Sequence, residues 1–192
     1  MSIHAVVSFL DNFNKIESVD LEFLGLVKLF HQIPFCATFG VSCAGHFDDV
    51  GSYEDFSNLF LSNMDGSLDI IVLKTEPHIS ILLEILTREI SKDPDSSFKK
   101  IYHIFGPQKE DNSNTEVWEI RIGDNKSTPE DYMMQWLEKE TNQEIYEKSK
   151  KRYEEVKLFW QNLENTVKDF CEKNNFTEFD IEKRISEITK NW

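Results

Sequence analysis

The residues with the greatest capacity for chemistry lie in one short stretch, Ser42-Cys43-Ala44-Gly45-His46. A cysteine thiol becomes a useful nucleophile when a neighbouring positive charge lowers its pKa, and an imidazolium is one such neighbour. This pairing makes Cys43 and His46 the candidate catalytic residues. Ser42 and Gly45 are candidate ligand-binding residues, because they and the loop amides can form a nest for a phosphate or carboxylate. The competing interpretation is a buried structural cysteine and a loop histidine bonded to the backbone.

A further candidate ligand-binding residue is His78, which follows Pro77 at the start of a predicted helix. This helix comes directly after a predicted buried strand. Ligands of open sheets collect at strand ends, so His78 could face the Cys43 loop. The alternative is a histidine in the first helical turn that contacts solvent.

The same residues allow a metal site as an alternative. Two residues separate Cys43 from His46, and His78 could be a third ligand. Other candidates for the remaining tetrahedral position are His31, Cys36 and His103. No second closely spaced ligand pair follows, and the loop lacks the glycine spacing and the lysine of a Walker loop. The sequence therefore names no cofactor.

The elements around this stretch predict an α+β fold. A helix with apolar residues at helical spacing runs to His31 and is stopped by Pro34, which lacks an N–H group. The predicted sheet is four-stranded, mixed or antiparallel, with strands at 35–42, 68–74, 100–105 and 115–122. In the first strand, Phe35 and alternate residues are expected to face a helix-covered core, leaving the smaller set, which includes Thr38, on the other face.

The residue pattern of the C-terminal third predicts helix. Thr128-Pro129 is a strong helix start, and neither glycine nor proline follows it through Trp192. We therefore predict an α+β domain at 1–128 and a helical extension at 129–192, either a hairpin or an arm. An apolar stripe from Ile145 to Phe170 approximates a coiled-coil seam, so the extension packs on the domain or forms a homodimer with a second copy.

Charge and cysteine content limit the classes of partner. The chain has 192 residues and a formal net charge of −14, which disfavours a nucleic-acid duplex as partner. Three cysteines do not form a disulfide framework, so a reducing cytoplasm is expected. No apolar run approaches the roughly 20 residues that span a bilayer, and no signal peptide or membrane contact is predicted.

Two resemblances rest on the same stretch. A helix, Ile33-Pro34 and a strand ending in Ser-Cys-Ala-Gly-His resemble a pattern in small uncharacterised phage and bacterial proteins, over about the first 75 residues. More distantly, Ser-Cys-x-Gly is similar to a loop of the wybutosine-synthesis tRNA methyltransferase family. In that family, Arg stands at the position of His46. A later strand of the family ends in a Glu-Pro pair, which is similar to Glu76-Pro77 in this chain. Neither resemblance implies a named activity.

Two functional classes follow from these observations. The first is a protein that binds a small molecule or nucleotide at the Cys43 loop, either as a binding protein or as an enzyme. The second is an acidic interaction or inhibitor module of phage type that acts through its helical arm. An inhibitor should leave the apolar stripe of the arm uncovered, whereas an enzyme should bury that stripe and present a pocket at the loop.

Overall fold

A computed structural model of the protein describes residues 23–43, 66–74, 76–94, 96–101, 114–122 and 142–177. Within these ranges it contains helices and an antiparallel sheet, which confirms the predicted α+β class. The helices are α1 (Leu24–Gln32), α2 (Ile79–Ile90) and α3 (Asn142–Lys173). The strands are β1 (Cys36–Cys43), β2 (Gly66–Leu73), β3 (Ser96–Ile101) and β4 (Thr115–Ile122).

The strands are arranged in the order β1-β2-β4-β3, and each neighbouring pair is antiparallel. β2 therefore has a partner on both sides, as its run of branched apolar residues predicts. Its apolar residues Leu68, Ile70, Ile71 and Val72 are fully buried. β2 joins β1 to β4, and β4 in turn joins β3 to the sheet.

The start of β3 differs from the prediction. The strand begins at Ser96 and not at Lys100. The hydroxyl of Ser96 donates to the backbone carbonyls of Ile90 and Asp93, which closes a tight turn after α2. This turn brings Phe98 onto Trp118 of β4, with ring centroids 5.5 Å apart. The predicted end of the strand, 102–105, lies outside the described residues.

The helix α1 ends as Pro34 requires. Ile33 has φ −72° and ψ 119°, the extended geometry that the residue before a proline prefers. The apolar face of α1 is fully or almost fully buried in the core through Leu26, Val27 and Phe30.

The long helix α3 supplies much of the core. It ends at a turn in which Asn175 has φ 57° and the Asn174 side chain donates to the Phe170 carbonyl at 2.8 Å. Asparagine suits this turn, because it tolerates a positive φ and its side chain bonds to nearby backbone. One face of α3 is buried and packs against α1 and α2. The buried residues of this face are Val156, Phe159, Trp160, Leu163, Val167, Phe170 and Cys171.

Candidate functional site

β1 ends at Cys43, so the strand leads into the predicted site as expected. The structure describes the backbone of Ser42 and Cys43, whereas Gly45 and His46 lie outside the described residues. The pairing of β1 with β2 is irregular near this end. Residue 39 pairs with Asp69 and Cys43 pairs with Ser67. Three residues of β1, 40–42, therefore lie opposite a single residue of β2, Leu68. Bulges of this kind are common at sheet edges and beside active sites.

This irregularity sets the neighbours of Cys43. Ser67, its partner in β2, pairs in turn with Arg121 of β4. Two positions along β2, Asp69 pairs with Glu119. Because side chains alternate along a strand, Ser67 and Asp69 lie on one face of the sheet together with Glu119 and Arg121. Cys43 therefore occupies the register position next to a charged group of three residues.

The charged group consists of two carboxyls and one guanidinium. Arg121 donates from Nε to Glu119 Oε1 at 2.6 Å, and the Glu119 residue is only 8% exposed. Asp69 has no part in this ion pair, and its Oδ1 atom is buried without a hydrogen-bond partner. Burial raises the pKa of Asp69 to about 6; the Glu119 charge adds to this effect and Arg121 opposes it.

Two kinds of chemistry are open to this arrangement. The Oδ1 atom of Asp69 is an acceptor for an N–H or O–H group, since a buried carboxyl oxygen is costly to leave without a partner. Two neighbouring carboxyls in different environments can also hold different protonation states, as acid–base pairs do. Structural ion pairs perturb pKa values as well, so the pKa of Asp69 does not by itself identify an active site.

His78 lies elsewhere in the fold. It precedes α2, and its ring lies near those of Phe35 and Phe176, with centroids 6.5 and 5.9 Å away. Phe35 immediately precedes β1, whereas Cys43 is the last of the eight residues of that strand. The backbones of these two residues are therefore separated by on the order of 20 Å. Because β1 and β2 are antiparallel, the segment after β2 is at the start of β1, so His78 and Cys43 are not brought together.

Two of the remaining candidate ligands lie near the first half of β1, away from Cys43: Cys36 begins that strand, and His31 contacts it from α1. His31 is fully buried, and its Nε2 atom lies 3.0 Å from the hydroxyl of Thr38. Cys36 is buried, and His103 is outside the described residues. Among the parts of the chain that the structure describes, no group of three potential ligands could hold a metal ion.

The contact between His31 and Thr38 corrects one prediction. Thr38 was expected on the face of β1 away from the helices, yet its hydroxyl meets a helical side chain. The prediction followed size alone and assigned the larger residues to the helix-covered face. A buried histidine on α1 instead needs a polar partner, and Thr38 provides one.

Sequence reasoning did not identify Asp69, Glu119 or Arg121 as site residues. One signal was available: Asp69 is the only charged residue in the strand Gly66–Leu73, which is otherwise largely apolar. A carboxyl in such a strand is rarely buried without a reason. The pairing of Asp69 with Glu119 depends on the register between two strands distant in sequence, and no local pattern reveals it.

The chain was compared with models of protein families, with curated proteins and with solved structures, and no match was found. The site must therefore be interpreted from its own residues. Separately, none of the helices in the described ranges has both the length and the apolar character that a membrane span requires.

Proposed function

We propose that the protein binds a small molecule or nucleotide at the end of β1 where Cys43 leads into the Ser-Cys-Ala-Gly-His loop. The main support is the register that brings Cys43 next to Ser67, one row from Asp69 and Glu119. The backbone of Cys43, a buried acceptor oxygen and an ion-paired arginine thus occupy neighbouring register positions of the sheet. Such a combination of few polar groups on an apolar scaffold is typical of ligand sites.

The roles within the proposed site follow from side-chain chemistry. Cys43 is the nucleophile if the site is enzymatic, and His46 lowers its pKa. Ser42, Gly45 and the loop amides receive an anionic group of the ligand. His78 would contact a ligand only at a separate position, near the start of β1.

The alternative proposal, an interaction module acting through the helical arm, requires an uncovered apolar stripe. From Val156 to Cys171 that stripe is buried in the core, and this burial favours the ligand-binding proposal. A homodimer that forms through the C-terminal helices would have to use residues of the extension outside Val156 to Cys171. A helical hairpin formed by α3 and a second helix beyond Thr177 remains part of the proposal, as does a cytoplasmic location.

The proposal is tested by labelling the folded protein with iodoacetamide and mapping the modified cysteines by mass spectrometry. Cys43 should react first. Cys36 is fully buried and Cys171 is 2% exposed, and burial raises the pKa of the Cys171 thiol to about 11. These two cysteines are internal controls for unfolding, because they should react only when the core opens.

The pH dependence of labelling tests the role of His46. If the imidazolium or the loop amides stabilise the thiolate, Cys43 should titrate below the ordinary value of about 8.5. His46→Ala should then raise the apparent pKa of Cys43 without changing the melting temperature. Labelling of Cys43 only after unfolding would contradict the proposal, and protection that a chelator removes would support the metal alternative.

Native mass spectrometry of the purified protein would show a retained ligand or a second subunit.

A further inference from the structure

The helix α3 differs in burial between its two parts. Its buried face extends from Val156 to Cys171. Toward the N-terminus, the next residues on the same face are Tyr153 and Arg152, three and four positions before Val156, and both are only partly buried. Among the side chains of α3 that the structure describes, the first buried one is therefore Val156. The exposed side chains before Arg152 are those of residues 143, 144, 147, 150 and 151.

An ion pair attaches α3 to another part of the fold near the start of this buried face. Arg152 Nη1 lies 3.7 Å from Oδ2 of Asp93, which follows the C-terminal end of α2. The two side chains are only 20% and 18% exposed, so solvent and salt screen this pair less than they screen a surface pair. Arg152 Nη1 also lies 3.3 Å from Glu155 Oε2, but both residues belong to α3. Of these two contacts, only the one with Asp93 joins α3 to α2.

The backbone of Asp93 is held in place by the turn after α2. Its N–H group donates to the Ile90 carbonyl at 3.2 Å, and its carbonyl accepts from the Ser96 hydroxyl at 2.8 Å. Arg152 is thus paired with a residue of an ordered turn. Helices shorter than roughly 12 to 15 residues are marginal in water by themselves. The part of α3 before Val156 therefore depends on contacts of this kind.

We propose that the first part of α3, residues 142–155, opens independently of the core, and that the ion pair between Arg152 and Asp93 is the contact that keeps it closed. When this pair breaks, residues 142–155 unwind, whereas the part from Val156 to Lys173 stays packed. Local opening of this kind requires less free energy than global unfolding, and segments that move in binding and regulation are drawn from such parts of a fold. The inference does not depend on the Cys43 loop.

The test is hydrogen exchange of the full chain, read by mass spectrometry in peptides that cover 147–155 and 156–171. In the wild-type protein, the amides of 147–155 should exchange at least about tenfold faster than those of 156–171. Asp93→Asn removes the charge and keeps the shape of the side chain. This variant should speed exchange in 147–155 by a further threefold to tenfold, approximately, and leave 156–171 unchanged.

The matched control is Glu155→Gln, which takes the other carboxylate from Arg152 without changing α2. Because that contact lies within one helix, the control should speed exchange in 147–155 by about twofold or less. Arg152→Gln removes both contacts. If the pair with Asp93 is the closing contact, adding Asp93→Asn to Arg152→Gln should have no further effect, since the two residues act as a unit. Melting curves would establish that each variant is folded.

Three results would overturn the proposal. Equal exchange rates in the two parts of wild-type α3 would show that the helix opens as one unit. Equal effects of Asp93→Asn and Glu155→Gln would show that the contact with α2 is not what keeps the first part closed. Faster exchange in 156–171 as well as in 147–155 would show that Asp93 stabilises the whole helix and not one part of it.

Discussion

Gly66 of β2 lies directly against the indole ring of Trp160 in α3. A Cβ atom on Gly66 would come within 2.6 Å of Trp160 Nε1, closer than any ordinary contact. The indole has little freedom to move, because the rings of Phe23 and Phe159 lie 4.6 and 4.8 Å from it. The absence of a side chain at Gly66 thus allows the long helix to approach the end of the sheet near Cys43.

Replacing Gly66 with Ala should therefore destabilise the fold by about 1 to 3 kcal/mol, the usual cost of overpacking a filled core. Urea denaturation would measure the free energy of unfolding. The matched control is Gly25→Ala in α1, where the nearest atoms belong to the flexible carboxylate of Glu164. That variant should be neutral or more stable, by up to about 1 kcal/mol, because alanine favours a helix. Equal effects at both glycines would contradict this account.

The hydrogen bond between His31 and Thr38 attaches α1 to β1, since both residues are fully buried. Thr38→Val keeps the shape of the side chain but removes its hydroxyl. We expect a loss of about 1 to 3 kcal/mol in the free energy of unfolding, because a buried polar contact disappears. Thr38→Ser keeps the hydroxyl and should lose less. If the valine variant were as stable as the serine variant, the hydroxyl would contribute nothing to this attachment.

The sequence predicts the individual segments of this fold better than it predicts their neighbours. The branched apolar run predicted as a strand at 68–74 corresponds to β2, the strand predicted at 115–122 corresponds to β4, and Pro34 ends α1 as predicted. The start of β3 was missed because Ser96-Ser97 resembles a linker. Its strand character depends on the turn that the Ser96 hydroxyl closes and on the packing of Phe98, which are tertiary effects.

For the candidate site too, the sequence predicts local features better than it predicts which residues become neighbours. The strand end at Cys43 follows from local residue types, so it could be predicted. The position of His78 depends on whether β1 and β2 run in the same direction, and the sequence leaves that choice open. The neighbourhood of Asp69 depends further on an irregular register in β1 and on pairing with β4. Register is set by the packing of whole faces, which no short motif encodes.

Glu89 connects α2 to α3 and provides a third prediction. Its Oε2 atom accepts hydrogen bonds from Thr166 Oγ1 at 3.2 Å and from Lys92 Nζ at 2.6 Å. Glu89→Ala should lower the free energy of unfolding by about 1 to 2 kcal/mol, since Glu89 is only 7% exposed and its partners lose their acceptor. Glu84→Ala, at an exposed position of the same helix, should change it by less than about 0.5 kcal/mol. Similar losses in guanidinium denaturation of the two variants would contradict a role for Glu89 between the helices.

Asp69 should make the protein less stable as the pH rises. In the folded state its pKa is about 6, above the ordinary value of 3.8, so the folded protein binds this proton more tightly than the unfolded chain does. The stabilisation that comes from the protonated Asp69 carboxyl is fully present below pH 3.8 and is lost as the pH rises to about 6. The difference between the two pKa values corresponds to about 3 kcal/mol, and because Asp69 is partly exposed we expect about 1 to 2 kcal/mol.

Asp69→Asn removes this titration. At pH 7 the variant should be more stable than the wild-type protein by about 1 to 2 kcal/mol, because no charge remains to be buried. Below pH 3.8, where Asp69 is protonated in both the folded and unfolded states, the two proteins should have similar stability. Urea denaturation at a series of pH values measures the difference in the free energy of unfolding between the two proteins. The contributions of the other titrating groups are common to both proteins and cancel in this difference. A variant that is less stable at pH 7, or a difference that does not change between pH 4 and pH 6, would show that Asp69 is not held in an unfavourable charged state.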